Sequence, residues 1–402
     1  MTDRALTTTA TAATADWIRA WARGEAVSAD FDALARARFN EQTASIRAFG
    51  AYAAARGVTH ADRQPVATLP LVPVTAFKRA PLHTAEAAAH PVARFETSGT
   101  TDGQPGVVQL ADTALYDLSL RASFHHFVVP DTPLRLRPDP GAGPFRVIAL
   151  VPDRSLRPHS SLGHMAEVIG ETWGDAPTRW LLRAAPTADH RHAPAERPEQ
   201  LDVAALRHAL HAACSSDTPV LLLTTSIALH LLHEAWPPSE TLRLPAGSRV
   251  MDTGGPKGRR IQLSRAAQHA WLQRTFGLPP ALIVGELGMT ELCSQRYETV
   301  TRAHLVGDVP SARVYLAPPW LRSVALAPHD LAPLPLGESG LIGHIDLANA
   351  DTCAFLLTGD LGHLVPLAAG DHRADYGPAL VLEGRAPGNP WRGCGLDVEA
   401  MF

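Results

Sequence analysis

The sequence predicts a layered α/β protein, and three observations carry that prediction. Short apolar runs alternate with helix-length amphipathic segments through the middle of the chain. Small polar, glycine-rich loops follow several of the apolar runs, as at the strand ends of α/β folds. From Val306 onward short strand-like pieces dominate, which predicts a small β-rich subdomain beside the layered part.

The elements follow in order. Between Ala15 and Arg56, Trp17, Ile18 and Trp21, then Phe31, Leu34, Ala35 and Phe39, recur at roughly helical spacing. Residues 1–60 are therefore expected to be a helical segment packed on a core of residues 61–385, with 386–402 a short tail. Residues 65–91 are punctuated by proline and predict irregular structure. Residues 146–151, 220–223, 249–251 and 281–284 read as strands, and 201–213 and 264–276 as helices. Ser264 suits the N-cap of the second helix and Gly277 its C-terminal stop. The proline-rich stretches 130–144 and 186–198 read as surface excursions; 340–347 and 354–357 read as late strands, and no internal repeat is present.

Composition narrows the function. At 402 residues and 46% hydrophobic content the chain can bury a large core. A net charge of −4 offers no basic field for nucleic acid, and no apolar run is long enough to span a bilayer. The Thr/Ala-rich N-terminus lacks the charged start and apolar core of a secretory signal, so a cytoplasmic location is expected. Cys214, Cys293, Cys353 and Cys394 lie far apart with no CxxC pair, which argues against a disulfide framework and a cysteine zinc site. His125-His126 and His190-Arg191-His192 lack carboxylates or cysteines at ligand spacing. Of 36 Lys+Arg residues only Lys78 and Lys257 are lysine, and both stand beside candidate site loops.

Five loops carry the chemistry: Thr97-Ser98-Gly99-Thr100-Thr101-Asp102-Gly103, Thr253-Gly254-Gly255, Gly285-Glu286-Leu287-Gly288-Met289-Thr290-Glu291, Thr358-Gly359-Asp360 and Gly384-Arg385. Each alone reads equally as an ordinary turn. Together they supply what nucleotide chemistry needs. Glycines bring backbone N–H groups close to phosphate oxygens, and Ser98, Thr100 and Thr101 add hydroxyl donors. Glu291, after a strand, is placed to hold Mg²⁺ against phosphate, with Thr290 beside it for the α-phosphate. Asp360 suits the two ribose hydroxyls, and Arg385 a fixed cation near ribose or phosphate. A Walker phosphate loop is absent, which excludes a generic NTPase reading.

In this order, the loops resemble the adenylate-forming superfamily of acyl-CoA synthetases, adenylation domains and luciferases. The wording MDTGGPKGRR and GELGMTELCSQRY, with TSGTTDGQPG, VPDRSLRPHSSLGHM, TGDLGHL and GRAPGNPWRGC, is similar to the LuxE family of acyl-protein synthetases within it, from about Phe77 to the C-terminus. The resemblance implies the large N-terminal domain of an adenylate-forming enzyme without the mobile C-terminal domain and its lysine. It implies ATP and Mg²⁺ as cofactors, and an acid–thiol ligase acting on a fatty or aryl carboxylic acid. Thr97, Ser98, Gly99, Thr100 and Thr101 would wrap the β- and γ-phosphates; Gly254, Gly255, Gly285, Glu286 and Leu287 would line the adenine, with Met289 in the same motif. Thr290 would take the α-phosphate, Glu291 the magnesium, and Asp360 and Arg385 the ribose, while His164 would flank the acyl pocket.

Departures from the pattern shape the mechanism. Gly106 stands where the family's first loop carries lysine, and Leu287 where an aromatic precedes Gly-Met-Thr-Glu. Lys257 or Lys78 is then the expected cation for adenylation. The resemblance implies a thiol as acyl acceptor, which would be a cysteine of this chain, a partner protein or CoA. Cys394, flanked by Gly393, Gly395 and the positive Arg392, is the leading cysteine and Cys293 the second, with Cys214 and Cys353 structural. A binding protein that holds nucleotide or acid without turnover is the alternative.

Overall fold

The helical spacing at the N-terminus gives α1 (Thr9–Ala22), α2 (Phe31–Ser45) and α3 (Arg47–Ala55). Asp30 caps α2, its carboxylate accepting from the backbone N–H groups of Asp32 and Ala33. Phe39 and Phe49 from these helices pack on Phe355, with ring centroids 5.2–5.7 Å apart. The computed structural model describes residues 9–26, 29–62, 64–97, 104–184, 199–254, 263–308, 313–367 and 376–386. The chain divides into two units: Met1–Ser123, Met289–Arg296 and Val314–Phe402 form unit 1, and Phe124–Gly288 with Tyr297–Arg313 form unit 2.

In unit 1 the proline-punctuated stretch holds β1 (Val72–Pro73), two short 3₁₀ turns and α4 (Ala85–Ala89). Next come β2 (Ala93–Glu96) and β3 (Val107–Leu110), an antiparallel pair in which Glu96 faces Val107. Helix α5 (Ala114–Phe127) leads on.

Unit 2 is the layered α/β part. Its elements are β4 (Arg146–Pro152), α6 (Ser161–Trp173), β5 (Arg179–Ala184), β6 (Glu199–Leu201), α7 (Val203–Ser215), β7 (Val220–Thr225), α8 (Ser226–Ala235), β8 (Arg249–Thr253), α9 (Arg265–Phe276), β9 (Ile283–Leu287), β10 (Arg296–Glu298) and α10 (Val300–Val306). The strand order β9-β8-β7-β4-β5-β6 is parallel except for the edge strand β6. Runs such as VLLL in β7 are apolar throughout because both sheet faces are covered. Ile148, Leu222, Val250 and Ile283 of the sheet pack with Leu206, Leu229, Trp271 and Phe276 of the helices. Ser264 caps α9 and Gly277 ends it in the left-handed conformation, both as expected. Strand β9 starts two residues later than the sequence suggests, because Pro280–Leu282 form a 3₁₀ turn, and it runs on through Leu287. Gly285, Glu286 and Leu287 are therefore strand residues.

The chain then completes unit 1 with β11 (Tyr315–Leu316), β12 (Leu321–Leu326), β13 (Gly340–Asp346), β14 (Phe355–Val365) and β15 (Ala379–Arg385). These strands are antiparallel in the order β12-β13-β14-β15-β11, and β1 adds to β14 in parallel. This is the expected β-rich part. Among the described residues, no helix is long and apolar enough to cross a membrane.

Candidate functional site

Unit 1 carries three of the five loops whole, and the Met289-Thr290-Glu291 end of a fourth. Thr97 closes the first at its base: its N–H donates to the Gly106 carbonyl at 2.9 Å, and its hydroxyl accepts from the Gly106 N–H at 2.8 Å. A side chain at Gly106 would begin 3.1–3.2 Å from Phe77 and Thr97, so the position that carries lysine in the family is packed tightly here. Ser98, Gly99, Thr100 and Thr101 lie outside the described residues.

The Met289-Thr290-Glu291 end of the third loop is built on a buried clamp. Asp346, the last residue of β13, and Asn349 just beyond it hold the backbone of residues 291–294. The Asn349 amide donates to the Glu291 carbonyl at 2.7 Å, and its oxygen accepts from the Cys293 N–H at 2.7 Å. Asp346 accepts from the Cys293 N–H at 2.9 Å and the Ser294 hydroxyl at 2.7 Å. Burial pushes the Asp346 carboxyl up to about 6, against the pull of these donors. A chain of donors runs into it, from the Trp320 indole to the Ser119 hydroxyl at 2.8 Å and from Ser119 to Ser294 at 2.9 Å. The Glu291 backbone is thereby fixed, and its side chain is almost fully buried. Met289 and Thr290, half-buried, lie on the same turn, which the Leu292 N–H closes onto the Met289 carbonyl at 3.0 Å.

The last two loops meet. Asp360 of β14 and Arg385 of β15 are register partners, and the Arg385 Nε lies 3.2 Å from an Asp360 oxygen. Arg385 is 72% exposed and Asp360 21%, so the pair presents itself to solvent. The Thr358 hydroxyl accepts from the Asp360 N–H at 3.2 Å and donates to the Ile342 carbonyl at 2.7 Å, which sets the start of this strand segment.

In unit 2 the loops stand at the C-terminal ends of β8 and β9, where open parallel sheets bind ligands. Thr253 and Glu286 are register partners, and the Thr253 hydroxyl donates to the buried Glu286 carboxylate. Gly254 follows at φ +76°, exposed and with open space where a side chain would start, which suits close approach of a ligand to backbone. Gly285 is hemmed in: a Cβ would lie 2.2 Å from Arg265 Nη2. Its N–H donates to Glu298 at 2.8 Å, and Glu298 is clamped by Arg265 at 2.8 and 3.0 Å and by Arg313 at 2.8 Å. Leu287 is half-buried.

The remaining candidates divide. Gly255, Lys257 and Cys394 lie outside the described residues. Lys78 ends a 3₁₀ turn, half-buried. His164 is buried in α6. Cys293 is fully enclosed; burial, with Asp346 and Asp351 adding repulsion, holds its thiol well above the usual range and leaves it a poor nucleophile. Cys353 is buried and pushed up to about 12, as a structural residue would be.

Sequence reasoning missed Asp346, Asn349, Ser226, Asp252, Arg265 and Glu298. Asp252 stands beside its loop within MDTGGPKGRR, while the others reach a site loop from elsewhere in the chain. The one signal present was chemical: Asp252 is a carboxylate after the apolar Val250 and Met251 of its strand.

The donor set fits magnesium in one way only. Among the described residues no group of three or more His, Cys, Asp or Glu side chains stands ready to hold a metal. A single hard oxygen ligand such as Glu291 matches the habit of Mg²⁺, which binds through one or two carboxylates and takes its other ligands from phosphate and water.

No protein-family model matches the chain. Over 85 residues it is 34% identical to a long-chain-fatty-acid–luciferin-component ligase of Vibrio harveyi, which is 21% of this chain and 21% of that protein. The solved structure of a 2-hydroxyisobutyryl-CoA ligase, in an open conformation with 2-HIB-AMP and CoA, matches 88% of the chain and 74% of its own length, at TM-score 0.56 and 12% identity. ATP-bound MatB from Rhodopseudomonas palustris matches 73% of the chain at TM-score 0.47 and 16% identity. The chain spans about half the length of MatB (48%) and about a fifth of the Vibrio ligase (21%). The fold is that of the large N-terminal domain of adenylate-forming ligases, and over 85 residues the sequence is similar to a ligase of long-chain fatty acids.

Proposed function

We propose that the protein uses ATP to activate a fatty or aryl carboxylic acid as an acyl-adenylate and passes the acyl group to a thiol. The observation that carries this reading is the Asp360–Arg385 pair. The family resemblance implies that both residues take one ribose, and they are neighbours across β14 and β15.

In this reading Asp360 accepts hydrogen bonds from the ribose hydroxyls, while Arg385 fixes its carboxylate and faces the nucleotide with positive charge. Glu286, Gly285 and Leu287 line the adenine with Gly254 and Gly255, and Thr97 to Thr101 with Thr290 donate to phosphate oxygens. A magnesium ion held at Glu291 neutralises phosphate charge when bound. A substrate carboxylate oxygen then attacks the α-phosphorus, and the bond to pyrophosphate breaks. The ammonium of Lys257, or of Lys78, offsets the negative charge gathered in that step. In the second step a thiolate, Cys394 or that of CoA or a partner protein, attacks the acyl carbon and AMP leaves. We assign the reaction to the cytoplasm, where ATP is supplied.

A second reading, binding without turnover, is favoured by Gly106 in place of the loop lysine. Trapping with hydroxylamine separates the two. Acyl hydroxamate formed only with ATP, magnesium and acid supports activation; bound ATP without hydroxamate from any fatty or aryl acid supports the second reading.

A further inference from the structure

Ser226, the first residue of α8, has more acceptors than it has protons. Its Oγ lies 2.6 Å from the Gly254 carbonyl oxygen, and 3.1 and 3.2 Å from the two carboxyl oxygens of Asp252. A hydroxyl carries one hydrogen. With Asp252 ionised, the one proton serves either Gly254 or the carboxylate, and the other acceptor faces the Ser226 oxygen with nothing between them. With Asp252 as the acid, both partners are joined to Ser226 by a proton: Asp252 donates to Ser226 from one of its oxygens, and Ser226 donates to Gly254.

We propose that Asp252 is a positioning residue that works as a neutral carboxylic acid, holding the Gly254 turn through Ser226 and releasing it on ionisation. The inference rests on the reading of Gly254 as a nucleotide-lining residue.

The surroundings agree. Asp252 and Ser226 are both buried, and the Ser226 backbone carbonyl is held by the Gln268 amide at 3.1 Å. Among the described residues, the charged groups that act on Asp252 are Arg265 on α9 and Glu298 on β10, and His269 and Arg313 bear on that same pair. Arg265 Nε approaches Asp252 only to 3.7 Å, because its guanidinium is committed to Glu298 at 2.8 and 3.0 Å. Arg313 is likewise committed to Glu298. His269 is neutral at working pH, since burial and the two arginines lower it to about 4. Burial, with Glu298 adding to it, raises Asp252 to about 7 against the opposing pull of Arg265. The proton therefore leaves within the working pH range. The Gly254 carbonyl then loses its donor as Ser226 turns to the new carboxylate.

The test has two arms on the full chain. Difference infrared spectroscopy without nucleotide, from about pH 6 to 8, is expected to show a protonated-carboxyl component that fades in the wild type beside that of Asp346 and is lost from the spectrum in Asp252→Asn while the Asp346 component stays. In the second arm ATP affinity is measured over the same range. Loss of one well-placed hydrogen bond is worth about tenfold, so the wild type is expected to weaken by about that factor towards high pH. Asp252→Asn, whose amide donates to Ser226 at every pH, is expected to bind ATP tightly and without pH dependence, and Asp252→Ala, which removes the competing carboxylate and leaves Ser226 to Gly254, is likewise expected to lose the pH dependence. No fading component that Asp252→Asn removes, or the same pH dependence in wild type and Asp252→Asn, overturns the proposal. A band that fades as expected in a protein that binds no ATP at any pH overturns the nucleotide reading and leaves the relay standing.

Discussion

Asp360 and Arg385 sit opposite each other on adjacent antiparallel strands, Nε to carboxylate oxygen 3.2 Å, with the arginine largely in solvent. An exposed pair of this kind adds at most about 1 kcal/mol to stability. That small contribution leaves the pair available for the ribose role proposed above. Asp360→Ala is expected to raise the KM for ATP about 10- to 100-fold, the worth of hydrogen bonds to a charged acceptor, while denaturant unfolding shifts by about 1 kcal/mol or less. A loss of stability with an unchanged KM would reverse that assignment.

Glu291 and Asn349 separate chemistry from scaffold. Glu291→Gln keeps the backbone that Asn349 holds, so acid activation and its magnesium dependence should be lost with folding intact. Asn349→Ala removes three buried hydrogen bonds at 2.7, 2.7 and 3.1 Å and should destabilise by about 3 kcal/mol, measured by urea unfolding.

Gly285 cannot grow while Arg265 is in place. Gly285→Ala would drive a methyl into Arg265 Nη2 and the Glu298 carboxylate, and should cost about 1–3 kcal/mol. In an Arg265→Ala background the same change should cost clearly less, and a double-mutant cycle reads that coupling.

His344 sets part of the acid limb of stability. Arg296 donates to the Ser323 hydroxyl, whose oxygen lies 2.6 Å from His344 Nδ1. Burial, with Arg296 adding to it, lowers His344 to about 3 from 6.5. The folded state resists a proton that the unfolded chain accepts, so this contribution is complete above pH 6.5 and is lost as pH falls towards 3. Over the first two pH units the loss is about 2–3 kcal/mol. His344→Gln should flatten that fall, as followed by chemical denaturation at each pH.

Much of the fold was legible because it is local. Ser264 and Gly277 mark both ends of α9, and the apolar runs of β4, β7 and β8 stand out from their neighbours. The late strands were only partly legible. Strand β14 extends to Val365 past Thr358, Gly359 and Asp360, polar and glycine residues that read as a turn; the register shift at Leu361/Gly362 lets the pairing continue. The candidate site was legible as loops in order, since each loop carries its own composition. What holds the loops was not. Asp252 reaches Ser226 across 26 residues, and Asp346 reaches Ser294 across 52; such pairings arise from sheet order, which no single stretch encodes.

Carboxylate-dependent ATP–pyrophosphate exchange across a panel of fatty and aryl acids tests the central claim most directly. Exchange that requires an acid and magnesium, and that disappears in Glu291→Gln, is the predicted result. Tight ATP binding with no exchange for any acid would contradict the account.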